Sequence, residues 1–94
     1  MATAPRPEAS PTAVTIYLTP WCGFCRAAVR LLDQKGIEYT AHDVRGDDEA
    51  RVWMREASGQ PTVPQIFIHG RSVGGYTELA ELERSGELTA ALGQ

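Results

Sequence analysis

The chain has 94 residues, 43% of them hydrophobic, enough for one compact domain and too few for two. Its formal net charge is -3 and its arginines are scattered among acidic residues. No continuous basic stripe therefore recommends a nucleic acid partner, and no charge block recommends a membrane surface.

The first thirteen residues, MATAPRPEASPTA, carry Pro5, Pro7 and Pro11 and no apolar run. They lack the core of a secretory signal and are expected to form a disordered tail, leaving residues 14–94 as a single α/β domain. Without such a signal or an apolar stretch of about 18 or more residues, the expected setting is soluble and cytoplasmic. Val14–Leu18 (VTIYL) is a β-branched and aromatic run that reads as a buried strand. TPWCGFCR follows at once and holds both cysteines, Cys22 and Cys25. From Phe24 to Lys35 the residues Cys25, Ala28, Val29 and Leu32 fall at i, i+3, i+4 and i+7, one face of a helix, with Gly36 in the C′ position. Cys22 is thus placed at a helix N-terminus.

Two cysteines separated by Gly23 and Phe24 admit three readings. As a permanent disulfide they would close too small a loop to stabilise much, in a compartment where such bonds are usually transient and catalytic. As a zinc site they supply half a tetrahedron, and His42 and His69 are isolated, without a second paired spacing. As a redox pair they need what the local pattern offers. Orphan N–H groups and the positive end of the helix dipole favour an anionic sulfur at Cys22. Cys25, three residues on, points further into the protein as the resolving thiol.

The alternation continues. Ile37–Val44 (IEYTAHDV) reads as a second strand, and Asp47 or Asp48 opens a helix whose inner stripe is Ala50, Trp53, Met54 and Ala57, closed by Gly59. Two parallel strands joined by a helix form a right-handed unit, the setting in which such a cysteine pair reads as thioredoxin-like. Gln65–Ile68 (QIFI) is a short strand, His69-Gly70 a tight turn, RSVGG an antiparallel return, and a last helix runs from Thr77 to Ser85. The order βαβαββα implies a four-stranded mixed sheet flanked by helices.

Three separated segments, WCGFC, TVPQIFI and GGYTEL, in this order and spacing resemble the dithiol glutaredoxins of the small bacterial type, from Val14 to the C-terminus. The resemblance implies a thioredoxin fold and a glutathione-dependent thiol-disulfide oxidoreductase with Cys22 and Cys25 as its catalytic pair. Its partners are then glutathione and glutathionylated or disulfide-bonded proteins, and the working form a monomer. It further implies that Pro64 is a cis-proline facing the cysteines. The N–H and C=O of Val63 then pair with an extended thiol peptide, Thr62 stands beside it among the glutathione-binding residues, and Gly75, Thr77 and Glu78 hold the γ-glutamyl end of glutathione. Gln60 is placed to hydrogen-bond the glycyl carboxylate.

This chain departs from the family pattern at several points. Thr19 stands where many members have lysine, so charge assistance to the sulfur falls to Arg26 or elsewhere. Thr77 and Glu78 stand where many have aspartates. Gly23-Phe24 replaces Pro-Tyr, keeping the aromatic, losing its hydroxyl and freeing the backbone at the helix start. A small residue at position 23 occurs in members that bind an iron-sulfur cluster. A second reading is therefore a [2Fe-2S] carrier, in which two chains each donate Cys22 and two glutathiones supply the remaining thiolates. A third, a non-catalytic binding module, is disfavoured by the intact thiol pair. His42 and His69 have no neighbouring acid in sequence that suggests acid-base work.

Overall fold

The computed structural model describes residues 3–93. Strand β1 (Val14–Leu18) pairs in parallel with β2 (Tyr39–Asp43) and antiparallel with β3 (Gln65–Ile68), which pairs antiparallel with β4 (Arg71–Gly74). The sheet order is β2-β1-β3-β4. Helices α1 (Gly23–Gln34), α2 (Asp48–Ser58), α3 (Tyr76–Ser85) and α4 (Glu87–Ala91) complete the chain. This is the βαβαββα order expected from the sequence, extended by one short helix.

Because successive strand residues face opposite sides, β1 and β3 sort their side chains into two cores. Val14, Ile16, Ile66 and Ile68 meet Ala28 and Leu32 of α1, Leu79 of α3 and Leu88 of α4. On the other face Tyr17 and Phe67 meet Ala50, Trp53 and Met54 of α2, with Val44. Tyr17 stands edge-on to Trp53, ring centroids 5.0 Å apart, and to Phe67 at 5.6 Å, a favoured aromatic geometry.

Four details differ from the sequence reading, each for a physical reason. β2 starts at Tyr39 rather than Ile37, because the Ile37 N–H donates to the Leu32 carbonyl and that of Gly36 to Asp33, a Schellman cap closing α1. Its other end stops at Asp43, since the Val44 carbonyl turns to accept from the Asp47 N–H. Ala57 is exposed, so the inner stripe of α2 ends with Met54. The helix α4, five residues beyond Gly86, is too short to show a period in sequence, and buries only Leu88.

The segment whose composition predicts a disordered tail is packed on the domain over its described residues. Pro7 is buried at the start of a 3-10 turn over Pro7–Ala9. The Pro5 carbonyl accepts from the Tyr17 hydroxyl at 2.6 Å, and the Ala4 N–H donates to Asp47 at 2.8 Å. The Arg6 guanidinium lies 5.3 Å from the centre of the Trp53 ring. A few anchors of this kind hold a segment that has no core of its own. Met1, Ala2 and Gln94 lie outside the described residues.

Candidate functional site

Cys22 is the N-cap of α1: its backbone is extended, and its sulfur accepts from the Cys25 N–H at 3.1 Å. A thiol here does the work usually given to a serine or aspartate cap. The same sulfur lies 3.7 Å from the Val63 carbonyl, within range of a thiol donor. Cys22 is half-buried, whereas Cys25, one turn inside the helix, is 2% exposed. Both thiols are free. Burial, reinforced by a hydrogen bond to Cys22, pushes the Cys25 thiol up to about 12. The two sulfurs are therefore chemically unequal. Cys22 is the more accessible sulfur, while Cys25 keeps its proton beneath it.

The second segment of the site is the loop ahead of β3. The Val63-Pro64 bond is cis, in agreement with the family expectation, and Pro64 is buried. The third is the turn from β4 into α3. Gly74 has a φ of 118°, and a Cβ there would lie 2.5 Å from Glu78 Oε1, so only glycine lets the Glu78 side chain fold back over it. Glu78 Oε1 then accepts from the Gly75 N–H at 2.7 Å. The family resemblance has Glu78 offer its charge to a ligand amine; in the structure one of its oxygens is committed to capping α3. The first-turn N–H groups of Tyr76 and Thr77 have no acceptor within the helix.

These segments converge. Gln60, Thr62, Val63, Pro64, Gly75, Thr77 and Glu78 line a single open cleft of about 260 Å³. Two residues that sequence reasoning did not assign to the site complete it. Phe24 of α1 and Tyr76 of α3 line the cleft and stack on each other, ring centroids 6.2 Å apart. Phe24 stands inside the cysteine motif and Tyr76 inside GGYTE, so position in the motifs was the available signal. Arg26 and Thr19 instead line a separate groove of about 440 Å³ with Cys25, Val29 and Arg30, so neither belongs to the cleft wall. His42 stacks on Tyr17 with its Nε2 buried, and desolvation lowers its pKa, as befits a neutral packing residue. His69 occupies the β3–β4 turn. Among the described residues no group of three or more histidine, cysteine or acidic side chains is placed to hold a metal ion.

Known proteins resemble this chain in sequence and fold. The glutaredoxin family model matches residues 14–73. A glutaredoxin of Pseudomonas aeruginosa is 42% identical over 79 residues, covering 84% of this chain and 94% of that one. Among solved structures, a buckwheat glutaredoxin-glutathione complex superposes with a TM-score of 0.81 at 29% identity, over 87% of this chain and 77% of that one. The holo form of glutaredoxin C1 from Populus tremula x tremuloides gives a TM-score of 0.83 at 27% identity, over 93% and 89%. The sheet and its helices form a thioredoxin fold. With its paired thiols at a helix start, the chain belongs to the glutaredoxin family, a membership that supports a thiol-disulfide oxidoreductase role.

Proposed function

We propose that the protein is a glutathione-dependent thiol-disulfide oxidoreductase acting on glutathione mixed disulfides and on protein disulfides. One observation carries this reading: all seven residues assigned to glutathione from the sequence line one cleft, whose Val63 carbonyl lies 3.7 Å from the Cys22 sulfur. An extended peptide in that cleft pairs its cysteinyl backbone with Val63. Its γ-glutamyl carboxylate takes the first-turn N–H groups of α3 and its glycyl carboxylate takes Gln60. The buckwheat glutaredoxin forms a complex with glutathione, which supports the same ligand here.

The chemistry is two exchanges. The Cys22 thiolate attacks the glutathione sulfur of a mixed disulfide; the new bond joins Cys22 to glutathione, and the substrate leaves as a thiolate that takes up a proton. A second glutathione thiolate then attacks the glutathione sulfur on Cys22, releasing glutathione disulfide and restoring the Cys22 thiolate. With a protein disulfide, Cys22 attacks one sulfur and releases the other as a thiolate. Cys25 then gives up its proton, attacks the Cys22 sulfur and breaks the mixed disulfide. The second substrate sulfur leaves as a thiolate that takes up a proton, and Cys22 and Cys25 remain joined as an internal disulfide. Turnover of a small glutathione mixed disulfide, driven by reduced glutathione and glutathione reductase, tests the reading. Steady NADPH consumption is expected. Turnover only with thioredoxin reductase or another thiol overturns it.

A second reading, a [2Fe-2S] carrier, draws on the open backbone at Gly23 and the exposed aromatics around Cys22. One chain does not fit a cluster: Cys22 is its only accessible thiol, since Cys25 is buried and holds its proton. Four thiolates require a second copy and two external thiols. The glutathione cleft beside Cys22 is the source this reading assigns to them.

A further inference from the structure

Gln65 opens β3, is wholly buried, and shares the face of Phe67, opposite Tyr17 in the ladder. Its side-chain amide reaches back into the cleft loop. Nε2 donates to the Thr62 carbonyl at 3.0 Å and to Gln60 Oε1 at 3.0 Å, so both of its hydrogens are used. The Thr62 carbonyl can only accept. That fixes which end of the Gln65 amide faces the loop, and hence which end of Gln60 faces Gln65. The backbone of Gln60 is itself clamped, its N–H donating to Ser58 Oγ and its carbonyl accepting from the same hydroxyl, both at 3.1 Å. Gln60 therefore turns its oxygen inward, and its NH2 remains for the cleft it lines.

We propose that Gln65 is a positioning residue that sets the polarity of Gln60, so that the cleft offers an NH2 donor, not a carbonyl oxygen, to the glycyl carboxylate of glutathione. This rests on the glutathione reading above. The energetics of the buried amide point the same way. Gln65 Oε1 is buried with no hydrogen-bond partner among the described residues, a cost that an apolar side chain of similar length avoids. Both donors of its amide are aimed at the site wall rather than into the core.

The test compares two substrates: a mixed disulfide of a small thiol with glutathione, and the same with γ-glutamylcysteine, which lacks the glycyl carboxylate. For each, kcat/KM for the disulfide reports the first exchange alone. Gln65→Met is expected to lower kcat/KM for the glutathione substrate about 10-fold, the lower end of the worth of one hydrogen bond to a charged group. It is expected to leave the γ-glutamylcysteine substrate unchanged, to add nothing in a Gln60→Ala background, and to unfold at an equal or higher urea concentration than the wild type. Gln65→Leu serves if the methionine variant folds poorly. An equal loss on both substrates, or full additivity with Gln60→Ala, makes Gln65 a structural residue and overturns the proposal while the glutathione reading stands. If Gln60→Ala itself fails to distinguish the two substrates, the glycyl seat is wrong and the proposal falls with it, whereas the glutathione reading falls only if reduced glutathione and its reductase drive no turnover.

Discussion

Cys22 and Cys25 differ in what the fold lets each of them do. Cys22 caps α1 and contacts the Val63 carbonyl at the cleft, while Cys25 is held as a thiol by burial and by its bond to Cys22. Mixed-disulfide exchange through the monothiol route needs only Cys22. Cys22→Ser is therefore expected to lose turnover of a glutathione mixed disulfide, and Cys25→Ser to keep it while losing the reduction of protein disulfides. Rates of both variants with one substrate of each kind check this. A dead Cys25→Ser makes the monothiol route wrong, and an active Cys22→Ser reverses the nucleophile. Single residues of the site were legible where a motif names them, as with the cysteines and Pro64. Gln65 was not, because in QIFI a polar residue at the head of an apolar run reads as a strand end, and nothing in sequence shows its amide reaching five residues back. Glu78 was legible as a contributor, but its cap on Gly75 depends on Gly74 permitting the fold-back.

The elements were legible wherever hydrophobic period and caps agreed. α1 and α2 begin at Cys22 and Asp47 and end at glycines because each has both a start and a stop signal. The N-terminal segment shows the limit of that method. Its prolines and small residues have no period, yet Tyr17 and Trp53 present an aromatic face that Ala4, Pro5 and Arg6 cover. Among its described residues, none of its hydrogen bonds reaches a cleft residue. Deleting residues 1–10 is expected to cost about 2 kcal/mol, from one buried proline and the two part-buried hydrogen bonds to Tyr17 and Asp47, with glutathione turnover retained. Urea unfolding beside the kinetic assay measures both, and an unchanged midpoint shows that the segment contributes nothing. Asp47 joins this segment to α2. The Ala4 N–H, with that of Ala50, holds its carboxyl below the ordinary 3.8. The charged form is the one favoured in the folded state, so this contribution is intact above that value and fades as pH falls through the lower folded one. The truncated protein is expected to have a shallower acid unfolding curve below about pH 4 than the full chain.

At the scale of the molecule, the sheet order brings three distant stretches to one place. β1 leads into the cysteines, β3 is preceded by the proline loop, and β4 feeds α3, so sequence positions near 22, 63 and 76 meet at one cleft. That convergence was legible only as far as the family pattern implied it, since no local signal relates segments forty residues apart. The same convergence leaves a surface beside the cysteines: Trp21 is 80% exposed and Phe24 65%, and a Cβ at Gly23 would have no heavy atom within 4 Å. The carrier reading uses this surface as the place where two copies meet. It predicts a brown dimer after anaerobic addition of iron, sulfide and glutathione, absorption that vanishes when glutathione is withheld or in Cys22→Ser, and absorption that persists in Cys25→Ser. Gly23→Pro is expected to weaken retention of the cluster, because a proline ring fixes the backbone at the helix start, while disulfide exchange through Cys22 continues. Sedimentation and the visible spectrum read these outcomes together. A colourless monomer of 10.2 kDa under the same conditions sinks the carrier reading and leaves thiol-disulfide exchange as the one chemistry of Cys22.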